Sequence, residues 1–373
     1  MERRTDGPLM LVTAAAGKTG ALVAHELLER GQRVRALLRR VDARSKALES
    51  LGAQIVVGDM ADVGQMEAAL RGVERAYFCA PWEPHMLHMA EVFAQAARAN
   101  GVNAIIEMTQ WLSNPDHPSL ATRQSWLITR MLASLPGVAH VVVNPGYFAD
   151  NYLRLMPFAA HLGVLPNLTG DSRNAPPSNE DIARVIAACM LDPERHAGQT
   201  YRPTGPALLS VPEMAGIVGK VLGRSVRAVP LPWAMFAKAA RAEGVSRFMV
   251  HELSFYVEEH RRGTFALAAP NDHVLRATGR AAEDFETSAR RYAALPQAKR
   301  SFGALVDALA HQMRIGLTPG VNLAAYRKAT QYPMPASPTY SDASPRWREE
   351  HGVPGAASGG QRVAGRGATP RMA

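Results

Sequence analysis

The sequence predicts an α/β protein, a doubly wound parallel sheet followed by a smaller, mainly helical C-terminal lobe. Between Pro8 and about Phe148, short apolar runs alternate with amphipathic helical stretches. Each parallel crossover needs a helix, so this alternation is typical of a parallel sheet covered on both faces. Beyond Asn151 the alternation fades and helical patterns dominate. A loop of small residues between the first strand and the first helix is the third observation.

The six strand candidates are short runs rich in branched and aromatic residues: LMLVT (9–13), RVRALLR (33–39), QIVVGD (54–59), RAYFCA (75–80), NAIIEMT (103–109) and HVVVNPG (140–146). Amphipathic segments such as VGQMEAALRGV and HMLHMAEVFAQAARANGV separate them. In sheets of this type, ligands bind beyond the carboxyl ends of the strands, so we look for chemistry there.

The loop in LVTAAAGKTGALVAHELLERG (11–31) is that of a phosphate-binding site. Its GKTG suggests a triphosphate loop, but the first glycine of that motif would fall at Val12, a β-branched residue inside the first strand. The alternative is a dinucleotide loop with small residues at Ala14, Gly17 and Gly20, followed by a helix that ends at Gly31. The setting between strand and helix favours this alternative, a Rossmann fold whose first helix meets a pyrophosphate.

The end of the second strand predicts which dinucleotide binds. A site that selects NAD has an acid here for the ribose 2′-hydroxyl. This chain has Arg39 and Arg40, which can bond a 2′-phosphate, and Lys18 adds a further positive charge. NADP(H) is therefore the preferred cofactor and NAD(H) the alternative. Two ordinary surface arginines are the competing interpretation.

Two further strand ends have residues suited to the cofactor. After the third strand, Asp59 can accept a hydrogen bond from the adenine amino group while Met60 packs on the ring. An aspartate that only stabilises a turn is the alternative. After the fourth strand, Ala80 and Pro81 offer a small, rigid surface to the nicotinamide ribose.

Bulk composition excludes several classes of protein. The chain has 373 residues, of which 47% are hydrophobic, enough for a substantial core. Its net charge of +9 comes from scattered basic residues, so we predict no nucleic-acid partner. The absence of a long apolar run predicts no membrane partner. Cys79 and Cys189 form no disulfide framework, and with no signal-peptide core at the start we predict a cytoplasmic protein.

The predicted organisation has three parts: residues 1–152 form the NADP(H)-binding domain, 153–314 the substrate-pocket lobe, and 315–373 a C-terminal extension. A strand near 199–205 is expected to rejoin the sheet, after a helix capped by Asn179 or Ser178. Helical segments are expected at 245–260, 283–294 and 302–313. The last 20 or so residues, rich in Gly, Ala and Arg, are expected to be disordered. For the rest of the extension the sequence leaves three alternatives open: it covers the cleft, it covers a neighbouring subunit, or it is a flexible tail.

Several motifs together resemble the NmrA-like branch of the atypical short-chain dehydrogenases/reductases: TAAAGKTG, GDMAD, NPGYFADN, NEDIARVIAACMLDPERHAGQTYRPTGP and ATGRAAEDFE. The resemblance covers roughly residues 8–294 and implies a Rossmann domain, an NADP(H) site and a helical lobe that shapes the substrate pocket. Two residues depart from the family pattern. Ala14 replaces the first loop glycine, and Asn144 stands where the family usually has the Arg of RPG.

The predicted cofactor residues lie in the loop and at the strand ends: Thr13, Ala14, Ala16, Gly17, Lys18, Thr19, Gly20, Arg39, Arg40, Asp59, Met60, Ala80, Pro81, Thr109, Pro145, Gly146 and Tyr147. The predicted substrate pocket consists of residues just beyond strand ends: Trp82, Gln110, Trp111, Tyr147 and Asn151. Glu83, His85 and His88 could in principle bind a metal. No third strong ligand is evident, however, so we predict no metal site.

The usual short-chain dehydrogenase pair, Tyr-x-x-x-Lys, is missing. Trp126 falls at the tyrosine position and Arg130 at the lysine position, and an indole is not a useful acid. Thr109 and Tyr147 are the substitute catalytic candidates; otherwise Thr109 completes a strand end and Tyr147 packs beneath the lobe.

The missing pair leaves two functional hypotheses. The first is an NADPH-dependent oxidoreductase that reduces a small conjugated or aromatic carbonyl or quinone without a side-chain acid. The second is a non-catalytic NADP(H)-sensing regulator that binds a protein partner. The sequence leaves a homodimer open.

Overall fold

The computed structural model describes residues 7–299 and 313–354, and its largest element is a parallel sheet. The sheet strands are β1 (Leu9–Val12), β2 (Arg33–Leu38), β3 (Gln54–Val57), β4 (Arg75–Cys79), β5 (Ala104–Met108), β6 (Ala139–Val143) and β9 (Thr200–Tyr201). These seven strands are ordered β3-β2-β1-β4-β5-β6-β9, and every neighbouring pair is parallel. The predicted α/β class is thus confirmed. A short strand between residues 199 and 205 does join the sheet, beside β6.

Helices cover both faces of this sheet. They are α1 (Lys18–Glu29), α2 (Ala43–Ser50), α3 (Val63–Leu70), α4 (Met86–Ala99), α5 (Leu120–Ala133) and α8 (Asn179–Leu191). Strand side chains alternate between faces. Met10 and Val12 therefore pack with α1 and α8, whereas Leu9 and Leu11 pack with α3, α4 and α5. The result is two buried layers, one on each side of the sheet.

The strand order reverses between β1 and β4, which creates the crevice where ligands of doubly wound sheets bind. Thr13, the first residue after β1, fixes the two strand ends together. Its amide donates to the Tyr77 carbonyl over 3.1 Å, and its hydroxyl accepts from the Cys79 amide over 3.0 Å. Thr13 is fully buried, and these two hydrogen bonds hold the ends of β1 and β4 together beneath the crevice.

The lobe is mainly helical. Its elements are α6 (Asp150–Leu153), α7 (Met156–Leu162), β7 (Val164–Asn167), β8 (Arg173–Asn174), β10 (Leu209–Ser210), α10 (Val211–Leu222), β11 (Arg227–Pro230), α11 (Trp233–Ala242), α12 (Arg247–Arg261) and α14 (Phe285–Ala293). The short strands pair as β7 with β11 and β8 with β10. The short helices α9 (Pro193–His196) and α13 (His273–Thr278) lie near the sheet edge formed by β6 and β9.

Helix α8 belongs with the sheet rather than with the lobe. Of the two predicted caps, Ser178 is the one used: its hydroxyl accepts from the Asp181 amide over 3.0 Å. The buried face of α8 contributes Ile182 and Ile186 to the same core as α1. The chain therefore returns from the lobe to the sheet along α8 and β9 before it enters the lobe again.

The described part of the C-terminal extension packs on the molecule. It contains α15 (Leu323–Thr330) and α16 (Pro345–Glu350). Trp347 of α16 is buried, and its indole donates to the Trp111 carbonyl over 2.7 Å. The Ser341 hydroxyl donates to the Leu112 carbonyl over 2.9 Å. The predicted helix at 302–313 lies almost wholly outside the described residues, and so does the final segment predicted to be disordered.

Candidate active site

Three adjoining cavities follow the carboxyl ends of the strands. The arginine cavity, about 570 Å³, lies beyond β2 and is lined by Arg39, Arg40 and Arg44. The loop cavity, about 370 Å³, lies between the β1–α1 loop and α6. The inner cavity, about 230 Å³, lies beyond β4 and β5. Neighbouring cavities share Cys79, so they form one continuous cleft.

Most predicted cofactor residues meet in this cleft. Those that line it are Ala14, Ala16, Gly17, Lys18, Thr19, Gly20, Arg39, Arg40, Met60, Ala80, Pro81, Thr109, Pro145, Gly146 and Tyr147. Thr13 supports the cleft without lining it.

The β1–α1 loop is built by close backbone approach. A Cβ at Gly20 would lie 2.3 Å from the Ala14 carbonyl oxygen, and one at Gly17 would lie 3.0 Å from the same atom. Ala14 itself adopts φ +50°, the left-handed region that glycine favours. Helix α1 begins directly after Gly17 with no side-chain cap, so the amides of its first turn are open to an anion.

The arginine cavity has three guanidinium groups in its wall. Arg39 forms an ion pair with Glu83, whereas Arg40 forms none with any residue that the structure describes. Arg44 was missed by the sequence reasoning because it lies beyond β2, on α2. Its guanidinium donates to the Ala16 carbonyl over 2.8 Å and so connects α2 to the β1–α1 loop.

An acid does follow β2, at Asp42, but its carboxylate is already engaged. It caps α2 through the Arg44 and Ser45 amides and accepts from the Arg44 guanidinium over 2.6 Å. The side-chain hydrogen bond from Arg44 lowers the pKa of Asp42 to about 2. Asp42 is thus not placed to serve as the free ribose-binding acid of an NAD-selective site.

Asp59 does not line the arginine cavity, although its neighbours Gly58 and Met60 do. One of its carboxylate oxygens accepts from the Ala61 amide over 2.9 Å. The structure therefore places this side chain in the turn interaction that was the alternative to adenine binding.

A charged cluster lies at the bottom of the loop cavity. Asp150 is buried and accepts hydrogen bonds from Lys18, Tyr292 and Arg154. Burial of Asp150 raises its pKa, but the hydrogen bonds from Lys18 and Tyr292 outweigh that effect and hold the pKa below its ordinary value. The Lys18 ammonium, although it follows the β1–α1 loop, is therefore directed at a carboxylate of the lobe.

The inner cavity is mostly apolar, with Trp82 and Gln110 among its lining residues. The Gln110 amide is fixed because its nitrogen donates to Ser125 over 2.9 Å and its oxygen accepts from Thr122 over 3.1 Å. Asn151 lines the loop cavity instead, where it accepts from Arg154 over 2.8 Å. The Thr109 hydroxyl is buried and has no hydrogen-bond partner among the described residues.

Tyr256 of α12, which the sequence reasoning missed, lines both the loop and inner cavities. Its ring meets Trp82 edge-on at 5.3 Å between centroids. Two buried carboxylates one helical turn to either side, Glu252 and Glu259, hold this face of α12. Glu252 accepts from the Ala121 amide over 3.0 Å, and Glu259 contacts the His117 ring over 2.9 Å. These bonds fix the lobe, and with it Tyr256, over the cleft.

Tyr147 sits in an aromatic cluster beneath the lobe. Its ring packs against Tyr152, Tyr256, His260 and Phe265. Burial raises the pKa of Tyr147 to about 12, so its phenol is a weaker acid than an ordinary tyrosine. These contacts agree with the packing role that was the alternative to catalysis.

Trp111 was predicted to line the substrate pocket, but the structure places its side chain outside the three cavities of the cleft. Its side chain is fully buried among Leu112, Phe265 and Trp347, and its indole donates to the Thr264 carbonyl. The residue lies just beyond β5, as expected, but the C-terminal extension covers it. Burying the apolar surfaces of Trp111 and Trp347 in one cluster is more favourable than leaving Trp111 exposed in the cleft.

Trp126 and Arg130, at the positions of the missing Tyr-x-x-x-Lys pair, do not line the cleft. Both face a separate groove over β6 and β9. The α5 residues that do reach the inner cavity are Ser125 and Ile128. Neither side chain titrates near neutral pH, so α5 provides no acid there.

Among the described residues there is no cluster of three or more metal-binding side chains. In that same part of the chain no helix has the length and apolar character needed to cross a bilayer.

The chain is similar to one protein family, to named enzymes and to several solved structures. Residues 8–266 match the model of the NmrA-like family. The NAD(P)H azoreductase of Xenophilus azovorans is 28% identical over 293 residues, 77% of this chain and 98% of the relative. The structure of the NADPH complex of Escherichia coli quinone oxidoreductase QOR2 superposes with a TM-score of 0.64 at 22% identity, covering 76% of this chain and 99% of that one. Nmra, a negative transcriptional regulator, superposes with a TM-score of 0.60 at 16% identity, covering 76% and 95%. At these identities the structural likeness shows a shared fold.

Proposed function

This chain belongs to the NmrA-like family, and from that premise we propose that it is an NAD(P)H-dependent oxidoreductase that prefers NADP(H). The observation that carries the proposal is the arginine cavity. It has three guanidiniums in its wall, and its one lining carboxylate, Asp42, is engaged as a helix cap. A 2′-phosphate is a suitable partner for such a wall, whereas the free ribose diol of NAD(H) lacks an acceptor there. NAD(H) is the alternative cofactor.

The residues of the cleft fit a dinucleotide along its length. The proposed pyrophosphate site is the first turn of α1, whose close packing at Gly20 leaves no room for a side chain. Met60 would pack on the adenine, and Ala80 and Pro145 would leave space for the nicotinamide ribose. When bound, the nicotinamide supplies a hydride.

The inner cavity favours a flat, conjugated substrate. Its walls include the aromatic rings of Trp82, Phe148 and Tyr256, and Gln110 is its fixed amide. We propose a small aromatic or conjugated carbonyl or quinone. Two relatives named for azo and quinone reduction support this class. The carboxylate among the lining residues, Glu107, is already engaged by the Thr129 hydroxyl over 2.8 Å and the His140 ring over 3.0 Å, which agrees with an acceptor whose product takes its protons from water.

The second candidate function is an NADP(H) sensor that binds a protein partner, which the shared fold with the regulator Nmra makes worth testing. A sensor can have its inner cavity filled by Trp111 or Tyr147. Trp111 is directed away from the cavity, and Tyr147 lines the loop cavity instead. This arrangement leaves space for a substrate and favours the enzyme.

The test is anaerobic mixing of the NADPH-loaded protein with a panel of quinones, azo dyes and conjugated carbonyls. We expect absorbance at 340 nm to fall with at least one of these acceptors. If NADPH binds tightly but no acceptor oxidises it, the sensor is the better description. If neither NADPH nor NADH binds, the oxidoreductase proposal and the sensor fail together.

Tyr147→Phe is expected to change kcat/KM for the best acceptor by less than about threefold, because a packed phenol with a raised pKa is a poor proton donor. Loss of a true general acid would lower it by about 100-fold or more. Steady-state assays at several pH values make the comparison. Tyr340→Phe in the extension removes a phenol that does not line the cleft and serves as the matched control. A large loss in Tyr147→Phe alone would make Tyr147 the acid.

A further inference from the structure

A separate groove of about 490 Å³ lies over β6 and β9, on the sheet face that α5 covers. Pairing aligns Met108 with Val143 and Val143 with Tyr201. Side chains alternate between the two faces of a sheet. The next residues, Thr109, Asn144 and Arg202, therefore lie side by side on the face opposite to that of Met108, Val143 and Tyr201. They form the floor of what we call the β6–β9 groove. Its walls are Trp126, Thr129 and Arg130 of α5 and, from the C-terminal extension, Glu350 and His351.

Unpaired polar atoms are concentrated in this groove. In the described residues, nine buried side-chain nitrogen or oxygen atoms lack a hydrogen-bond partner, and five of them belong to residues that line the groove: Thr109 Oγ1, Trp126 Nε1, Asn144 Oδ1, Arg202 Nε and His351 Nε2. Asn144 is only 5% exposed and His351 only 7%. Buried polar groups in native proteins are nearly always paired with protein or with ordered water, so five such orphan atoms around one cavity favour a polar occupant.

The orphans offer both donors and acceptors. The Trp126 indole and the Arg202 Nε–H can only donate. His351 Nδ1 lies 2.9 Å from the Trp347 carbonyl, so this nitrogen carries the proton and Nε2 of the neutral ring is an acceptor. Burial, followed by the charge of Arg202, holds the pKa of His351 well below its ordinary value, which keeps the ring neutral. A matching ligand therefore needs both acceptor oxygens and hydroxyl donors.

The groove also has an uncompensated positive charge. Glu350 pairs its carboxylate with Arg130 over 2.6 Å and gives only its main-chain carbonyl to Arg202, also over 2.6 Å. Arg202 has no ion pair with any described carboxylate. Burial lowers its pKa to about 10, so the guanidinium remains charged at neutral pH. His140, farther along the floor, is paired with Glu107 over 3.0 Å. The remaining charge favours an anionic ligand.

We propose that the β6–β9 groove binds a hydroxylated carboxylate about the size of a sugar acid, with its carboxylate at Arg202 and hydroxyl groups at His351 and Asn144. The C-terminal extension supplies one wall, which gives that segment a function beyond covering Trp111. The groove shares only Thr109 with the inner cavity of the cleft. The proposal therefore does not depend on the NADP(H) proposal.

The test uses three six-carbon probes on the full chain in isothermal titration calorimetry: gluconate, glucose and hexanoate. They separate the carboxylate from the hydroxyl groups. We expect gluconate to bind at least about tenfold more tightly than either of the others, since only it meets both the charge and the acceptors. Trp126→Phe, which removes one orphan donor and keeps a ring, and Arg202→Met should each weaken gluconate binding at least about fivefold.

Trp233→Phe on α11 is the matched control and should bind gluconate like the parent protein. NADPH titrations of the same variants should be unchanged, which separates this site from the cleft. If Arg202→Met does not fold, Trp126→Phe still decides the question. The proposal is overturned if none of the probes binds at millimolar concentration, if glucose binds as tightly as gluconate, or if both groove variants bind gluconate normally.

Discussion

Gly20→Ala is expected to raise the Kd for NADPH about 100-fold, which corresponds to about 2.7 kcal/mol. A Cβ at this position would lie 2.3 Å from the Ala14 carbonyl oxygen and 2.8 Å from its carbon. Both are backbone atoms, so α1 and the loop must separate. That movement displaces the first-turn amides that we propose hold the pyrophosphate. Calorimetric titration of NADPH, with circular dichroism to confirm folding, measures the effect.

The opposite exchange in the same loop is the matched control. Ala14 adopts φ +50°, which costs an alanine more than a glycine, so Ala14→Gly is expected to preserve NADPH binding and to stabilise the fold by up to about 1 kcal/mol. Urea unfolding measures this difference in the free energy of unfolding. If a folded Gly20→Ala binds NADPH with parental affinity, α1 does not hold the pyrophosphate and the proposed cofactor orientation is wrong.

The parts of the fold that depend on local pattern were predictable. Each strand of the sheet from β1 to β6 lies in a short run rich in branched and apolar residues, although the edge strand β3 is only partly buried. The glycines of the β1–α1 loop, Gly17 and Gly20, were identified by spacing, and the structure gives a reason for them in their close approach to the Ala14 carbonyl. Arg39 and Arg40 follow β2 directly, and the structure places both in the wall of the arginine cavity.

The residues that were missed or misplaced from the sequence are positioned by contacts between distant segments of the chain. Arg44 reaches the Ala16 carbonyl from a different helix, and Tyr256 reaches Trp82 from the lobe. The contact of Arg44 leaves no mark in the sequence around that residue. Trp111 was misplaced because its partner, Trp347, lies 236 positions away in the extension. The partial signal for Tyr256 was its position between Glu252 and Glu259, which the helical period places on the same face of α12.

A local hydrogen bond explains why the Asp59 side chain does not line the arginine cavity. At the carboxyl end of β3 its position is that of an adenine-binding residue, but its carboxylate is within reach of the Ala61 amide two residues ahead. Aspartate makes this local turn readily, and the local bond forms at little entropic cost. A position at a strand end therefore indicates proximity to the cleft, while the direction of the side chain depends on which hydrogen bond is nearest.

The double variant Arg39→Ser/Arg40→Ser is expected to raise the Kd for NADPH about 100-fold and to change the Kd for NADH by less than about threefold, because charge-assisted hydrogen bonds contribute about 1.5–3 kcal/mol each. Arg40 is expected to account for most of the loss, because Arg39 is shared with Glu83. Parallel titrations with both nucleotides measure the preference. Arg195→Ser removes an equivalent exposed charge from α9 and is the control. A double variant that loses affinity for both nucleotides equally would show that these arginines act through general charge or folding, and the preference for NADP(H) would then lose its physical basis.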